Sequence, residues 1–152
     1  MKRFNFNLQK VLQLRKYNEE DRKIQLGQAI GILSEIENNI NIVASNRRLA
    51  ANERFSGTAD ILSWELYINR LDQQTESLLK DAAKAELVVE EKRNAYLEAA
   101  RELKAMEKLK EKREKEHRKE MFAAETAELD LQANNKRYFS QQQKELQLQQ
   151  QY

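Results

Sequence analysis

The chain has 152 residues, of which 34% are charged and 40% hydrophobic, and its 27 basic and 25 acidic residues give a formal net charge of +2. It contains no proline, no cysteine and only three glycines, so it lacks the turn residues that a compact domain of many short elements requires. The near-balanced charge argues against nucleic-acid binding by the whole chain, and the lack of cysteine excludes disulfides and thiolate metal sites. The abundance of Ala, Leu, Glu, Lys, Gln and Arg predicts an all-α protein of few, long helices.

The first predicted helix covers about residues 4–54 and carries an apolar stripe. Apolar residues recur in alternating steps of three and four, the spacing of a coiled-coil seam. From residue 26 onward the stripe is unbroken and consists of Leu26, Ala29, Leu33, Ile36, Ile40 and Val43. The same steps reach back to Leu8 and Leu12 but meet charged residues at 15, 19 and 22. We therefore expect looser packing near the start of this helix.

Two glycines lie within the first predicted helix. Gly27 and Gly31 are four residues apart and so share one face. Each costs about 1 kcal/mol relative to alanine. They either allow close approach of another backbone or mark a weak point in the helix.

The one predicted turn lies at about residues 55–60. Gly57 is expected to adopt a positive φ at a helix end, and Thr58 or Asp60 to cap the next helix. The second predicted helix covers about 61–139 and repeats the three-and-four spacing from Ile61 to Met106. A Gln-rich tail, 140–152, is predicted to be frayed and solvated.

An antiparallel coiled-coil hairpin turning at Gly57 brings the two stripes together. It pairs residues whose numbers add to roughly 114, which places Val43 opposite Leu71 and Leu8 opposite Met106. The predicted coiled-coil core is Leu26, Leu33, Ile36, Ile40, Val43, Leu71, Leu78, Val89, Leu103 and Met106. The second helix is the longer one, so Phe4 runs out of partner near Lys110. Residues beyond about 111 are predicted to lack an intrachain partner.

A basic run follows at residues 101–119, with nine Lys or Arg residues and five Glu. The favoured interpretation is a solvated helix with ion pairs such as Glu111 with Lys115 and Glu114 with Arg118. The second interpretation is a contact for an acidic protein surface. Nucleic acid is disfavoured because no aromatic residues interleave the basic ones. The single histidine, His117, is predicted to lie at the surface, since one histidine among mobile carboxylates is a poor metal site.

The sequence carries no catalytic signature. It has no glycine-rich phosphate loop and no His-Glu-x-x-His motif, and a two-helix hairpin offers no enclosed pocket to shift carboxylate pKa values. We expect no enzymatic activity, no cofactor and no metal. There is no apolar run long enough for a membrane span or a signal sequence, which predicts a cytoplasmic protein.

Three stretches of the chain form a pattern typical of one family. The chain opens with Phe4-x-Phe6-x-Leu8-Gln9-x-Val11-Leu12-x-Leu14-Arg15 followed by Glu19-Glu20. The other two stretches are Tyr67-Ile68-x-x-Leu71 and Tyr96-x-x-Ala99-x-Arg101-x-x-Lys104-x-x-Glu107-Lys108-Leu109-Lys110-Glu111-Lys112-Arg113. Together they resemble flagellar FliJ, the small coiled-coil protein of the type III export apparatus. One departure is that the family's C-terminal Leu-Asp-Glu reads Leu129-Asp130-Leu131 here.

The resemblance implies a non-enzymatic stalk, similar to the coiled coil of the rotary ATPase gamma subunit, seated in the hexameric flagellar export ATPase. Such a stalk promotes assembly and activity of the ATPase. Members of the family also touch the cytoplasmic domain of the export gate, at the membrane-associated export apparatus, and some of them bind export chaperones. The implied ATPase contacts are Phe4, Leu8, Arg15, Arg113, Phe122, Leu129 and Leu131. The implied gate contacts, near the hairpin tip, are Ile42, Leu49, Phe55, Tyr67 and Leu71, although Tyr67 fits a core position equally well.

Three alternatives stay open. The equivalent stalk of a virulence type III secretion system has a similar architecture. A homodimeric coiled-coil scaffold would use the same stripes between chains instead of within one. An RNA-binding protein would use residues 101–119, with an affinity that falls steeply as salt rises.

Overall fold

The structure, a computed structural model, describes residues 3–53 and 57–149, with side chains described as far as residue 146. Two α-helices make up nearly all of this: α1, Gln9–Ala51, and α2, Thr58–Gln149. The prediction of an all-α chain whose second helix is the longer is confirmed, with 43 residues in α1 and 92 in α2. In the part of the chain that the structure describes, no helix is both long and apolar enough to span a membrane.

The chain divides into two compact units, each described by itself. The larger is Lys10–Lys104, and the smaller joins Met1–Gln9 to Ala105–Tyr152. In the larger unit α1 packs on α2 through one face of each helix. The α1 stripe from Leu12 to Val43 is buried or half-buried at every position, and so is the α2 stripe from Trp64 to Leu103. Two helices can bury only one face each, which is why most of these residues are half-buried.

The predicted core residues of the larger unit all lie on these inward faces. Val43, Leu71 and Val89 are buried. The half-buried ones are Leu26, Leu33, Ile36, Ile40, Leu78 and Leu103. Four of the buried positions are alanines, Ala29, Ala50, Ala82 and Ala99, and these small side chains let the helices approach closely.

Polar contacts join the two helices along the length of the larger unit. Arg15 pairs with Glu102, Lys92 Nζ donates to Gln25 Oε1 at 3.2 Å, and Arg47 pairs with Asp72. Near the helix ends, Trp64 Nε1 donates to the Ala50 carbonyl at 2.7 Å. The partner numbers on α2 fall as those on α1 rise. The polar half of the α1 stripe, expected to be looser, is thus bridged by side-chain contacts at residues 15 and 25.

The ion pair between Arg47 and Asp72 perturbs both groups. The hydrogen bond from the Arg47 guanidinium holds the pKa of the Asp72 carboxyl below its ordinary value, and the same hydrogen bond raises the pKa of Arg47. Both side chains are about half exposed, so solvent screens the pair. The pair therefore contributes little to the stability of the fold.

The start of α2 differs from the prediction. None of the glycines in the described residues has a positive φ. The Gly57 carbonyl instead accepts the Ile61 N–H at 3.3 Å, which makes Gly57 the N-cap residue of α2. Glycine is well tolerated at that position because the N-cap lies outside the helical conformation. Thr58 is the first helical residue, and Asp60 lies in the first turn, where its negative charge interacts favourably with the helix N-terminus.

Gly27 and Gly31 lie on the exposed side of α1. A Cβ added at either would meet nothing within 4 Å, so the prediction that they allow close backbone approach is wrong. The two glycines therefore only lower the stability of α1, since each is less favourable in a helix than alanine.

Replacing Gly31 with alanine should therefore raise the free energy of unfolding by about 0.5–1 kcal/mol, because alanine fits the space and has less backbone freedom to lose. Urea denaturation followed by circular dichroism at 222 nm measures this. Gly57→Ala is the control, since at an N-cap alanine is no better than glycine. A loss of stability in Gly31→Ala would contradict the assignment.

The smaller unit corrects the predicted helix ends. Residues 3–6 are not helical, and α1 begins at Gln9, whose N–H donates to the Phe6 carbonyl at 2.9 Å. Asparagines alternate with the phenylalanines here, and asparagine is a poor helix former. At the other end, α2 continues beyond residue 139 through Gln149. Glutamine favours helix, and Gln142 Nε2 donates to the Tyr138 hydroxyl one turn earlier, at 3.0 Å.

Candidate partner-binding surfaces

The N-terminal segment, residues 3–8, packs on α2 within the smaller unit. Phe6 is only 5% exposed, and the Arg113 guanidinium carbon lies 5.8 Å from the centre of its ring, a cation–π contact. The Phe4 ring lies 5.6 Å from that of His117, tilted by 56°. Both phenylalanines are thus held against the basic run.

This packing corrects the prediction that Phe4 runs out of partner near Lys110. Phe4 contacts His117 and Phe6 contacts Arg113, so an advance of two residues along the segment covers the same distance as four residues of α2. At 1.5 Å per helical residue this is about 6 Å, or about 3 Å per residue of the segment, the advance of extended chain. An extended segment therefore reaches farther along α2 than a helix with the same number of residues would.

The half-buried face of α2 consequently continues past Met106, itself half-buried. It includes Leu109, Lys110, Glu114, His117 and Met121. His117, predicted to be a surface residue, is half-buried beside Phe4. Across residues 3–53 and 57–149, no cluster of three or more His, Cys, Asp or Glu side chains is placed to hold a metal.

The rest of the basic run carries ion pairs within α2. Lys115 Nζ lies 2.6 Å from Glu111 Oε1, and Arg118 Nη2 lies 2.9 Å from Glu114 Oε1, which are the two pairs that the spacing predicts. The hydrogen bond from Lys115 holds the pKa of Glu111 below its ordinary value. Glu111 and Glu114 are therefore engaged by basic residues of the same helix.

The seven residues implied as ATPase contacts differ in their surroundings. Phe4 and Leu8 are half-buried in the smaller unit, where the exposed Arg113 lies over the Phe6 ring, whereas Arg15 belongs to the larger unit and pairs with Glu102. Phe122, Leu129 and Leu131, in contrast, are exposed.

Those three lie in a stretch that we call the C-terminal arm, residues 122–146. Every residue of the arm is exposed. Its large apolar residues are Phe122, Leu129, Leu131, Tyr138, Phe139 and Leu146. The candidate set from the sequence omits Tyr138, Phe139 and Leu146, although Phe139 and Leu146 continue the three-and-four spacing that begins at Phe122. Exposed apolar residues at this density mark an interaction surface.

The residues implied as gate contacts lie near the ends of α1 and α2 that face the turn. Ile42, Leu49 and Tyr67 are exposed, and Phe55 lies outside the described residues. Leu71 is buried, which fits its place in the predicted core and removes it from the accessible surface. Three further exposed apolar residues lie nearby on α2 and are absent from the candidate set: Ile61, Leu62 and Leu66.

Comparisons with known proteins give one match. The family model for the flagellar FliJ protein matches residues 4–143, nearly the whole chain. The match includes the N-terminal segment and most of the C-terminal arm. No curated protein and no solved structure matches the chain.

Proposed function

Since the chain belongs to the FliJ family of flagellar export proteins, we propose that it is the central stalk of the hexameric flagellar export ATPase. In this role it performs no chemistry itself and needs no cofactor. It promotes assembly and activity of the ring by binding it, because a ligand that binds the assembled state stabilises that state. It works in the cytoplasm, at the membrane-associated export apparatus.

We also infer that α1 and α2 form an antiparallel coiled-coil hairpin. The three cross-helix pairs at residues 15, 25 and 47 support this, because their partners are residues 102, 92 and 72.

The observation that carries the proposal is the C-terminal arm. Phe122, Leu129 and Leu131 are accessible, and no part of the described chain covers them. A surface helix of a stable protein is polar on its outward side, so such residues indicate a face that another protein covers. The arm is a single helix, a shape that fits the central hole of a hexameric ring.

A direct mixing experiment tests the proposal. The purified flagellar export ATPase of the same organism is combined with the full chain, and ATP hydrolysis and co-purification are both measured. We expect the chain to co-purify with the ATPase and to raise its hydrolysis rate. The ATPase of a virulence secretion system serves as the comparison. Stronger stimulation of the virulence ATPase would favour the virulence alternative, and no effect on either would refute the stalk assignment.

The second proposed contact is with the cytoplasmic domain of the export gate, through exposed apolar residues near the turn. Leu49 on α1 and Tyr67 on α2 are accessible and provide one candidate on each helix. Export chaperones are further proposed partners, and nucleic acid is not among the proposed ligands.

Replacing Leu49 and Tyr67 together with alanine should weaken gate binding about 10-fold or more, since accessible apolar anchors contribute most to such interfaces. Binding is measured by titration calorimetry against the purified gate domain. Leu87→Ala is the control, because Leu87 is more exposed than either residue but lies far along α2 from the turn. Unchanged gate binding in the double variant would place the contact elsewhere.

A further inference from the structure

The C-terminal arm carries a regular stripe that the proposed function does not explain by itself. In alternating steps of three and four, the stripe reads Phe122, Glu125, Leu129, Gln132, Lys136, Phe139, Gln143 and Leu146. All eight are exposed, and the four apolar ones are between 58% and 72% exposed. Leu131 and Tyr138 lie on a different face of the helix. The spacing is that of a coiled-coil seam, here without an intrachain partner.

When two copies of the stripe run in opposite directions, the apolar residues of one copy can face the apolar residues of the other. In one antiparallel register, Phe122 of one copy lies opposite Leu146 of the other, and Leu129 lies opposite Phe139. The same register sets Glu125 opposite Gln143 and Gln132 opposite Lys136. Every apolar residue thus meets an apolar one, and every polar residue meets a polar one. Because the contact is two-fold symmetric, each apolar pair occurs twice in the interface.

Other arrangements of the same stripe fit less well. A parallel pair sets Glu125 against Glu125 and Lys136 against Lys136, and like charges across a seam are destabilising. An antiparallel pair shifted by one heptad sets Leu129 against Gln132 and leaves Leu146 opposite a lysine, Lys115. Of these arrangements, only the first register pairs all four apolar residues with one another without setting like charges opposite each other.

The positions that flank the stripe do not oppose this pairing. On one side they are Thr126, Ala133 and Ser140, all small and uncharged, which permits close approach of the two helices. On the other side Glu128 lies opposite Gln142, so no like charges meet. The arm has about 24 residue steps of helix, or about 36 Å, which is enough for several layers of side chains.

We propose that the C-terminal arm is a homodimerisation surface, through which two copies of this chain pair antiparallel about a two-fold axis near Ala133. A single helix pair lies at the small end of the range of specific interfaces, so the dimer is weak and forms at raised protein concentration. The pairing covers Phe122 and Leu129, two proposed ATPase contacts. If the proposed function holds, the dimer and the ATPase complex exclude each other, and the free chain is stored in a form that does not engage the ring.

Light scattering after size-exclusion chromatography tests the pairing with the full chain alone. Over about 1 to 200 µM, the average mass should rise from 18.0 kDa toward twice that value. Replacing Leu129 and Phe139 with glutamine should weaken association at least 10-fold. Replacing Leu131 and Tyr138 with glutamine is the matched control and should change little, since these two are 63% and 60% exposed but lie off the stripe.

Cysteine cross-linking tests the register, because the natural chain has no cysteine. Ala133→Cys should form a disulfide-linked dimer readily, since the two copies of residue 133 flank the axis. Gln143→Cys should not, because its copies lie about 27 Å apart in the proposed register, well beyond disulfide reach. A parallel dimer would cross-link at residue 143 instead.

A constant mass of 18.0 kDa over the whole range would overturn the proposal. So would equal loss of association in the two glutamine variants, or cross-linking at residue 143 without cross-linking at 133. None of these measurements contains the ATPase. Failure of the dimer therefore leaves the proposed function standing, and failure of the proposed function leaves the dimer standing.

Discussion

Replacing Phe122 and Leu129 together with glutamine is expected to weaken binding to the export ATPase about 100-fold, and to remove most of the stimulation at limiting concentrations. Each side chain is a large, accessible apolar group, and truncating such a residue in an interface costs about 1.5 kcal/mol. Glutamine favours helix nearly as well as leucine, so the arm should stay helical. The measurement is ATP hydrolysis as a function of chain concentration.

The control for this variant replaces Leu79 and Leu87 with glutamine. Both are exposed leucines on α2, in the larger unit. If this control lowered stimulation as strongly as the arm variant, the effect would reflect a general loss of apolar surface, and the arm would lose its special role. Circular dichroism of both variants checks that helicity is unchanged.

Replacing Leu71 with alanine is expected to cost about 2–4 kcal/mol of unfolding free energy. Leu71 is 4% exposed and is one of the few large side chains fully inside the two-helix interface. The loss combines its burial energy with the cavity that it leaves. A chain with so few buried side chains has little stability in reserve, so this single change should lower the thermal midpoint by several degrees.

Leu66→Ala is the matched control for Leu71→Ala. Leu66 lies on the same helix but is 63% exposed, so its truncation should cost less than about 0.5 kcal/mol. Urea denaturation at 222 nm compares the two. Equal costs would mean that the inward face of α2 is assigned wrongly. The single tryptophan, Trp64, gives an independent fluorescence signal from the helix ends nearest the turn.

The inward faces of both helices can be predicted from the sequence because a two-helix contact imposes one strict period. From Leu12 to Val43 and from Trp64 to Leu103, each residue that the three-and-four spacing selects lies inward. Even Arg15 and Lys92 follow the rule, since their long side chains reach polar partners on the other helix. Among the α2 stripe residues of the larger unit only Ile61, in the first turn, is exposed.

The N-terminal segment could not be predicted in the same way. Phe4, Phe6 and Leu8 alternate with polar residues, which is the period of an extended chain, but Leu8 also lies on the backward extension of the helical stripe. The sequence alone therefore allows either an extended segment or a helix that continues back to residue 4. Once residues 3–6 are extended, the pairing shifts along α2 and brings Phe4 to His117.

The candidate contact residues could be predicted only in part. Exposure of Phe122, Leu129 and Leu131 follows from the absence of a partner stripe opposite them. The stripe spacing already places Leu71 inward and Leu66 off the stripe, so the gate contact implied for Leu71 conflicted with its place in the predicted core, and the structure decides for the core. The sequence also did not show whether Gly57 ends α1 or caps the start of α2, since glycine occurs at both ends of helices.

The central claim is that the C-terminal arm engages the export ATPase. A chain ending at Met121 tests it most directly, because this chain keeps the residues of α2 that hold Phe4 and Phe6 while losing the whole arm. We predict that it stays folded through residues 3–121, with an unfolding midpoint near that of the full chain, and fails to stimulate the ATPase. Stimulation equal to that of the full chain would contradict the claim.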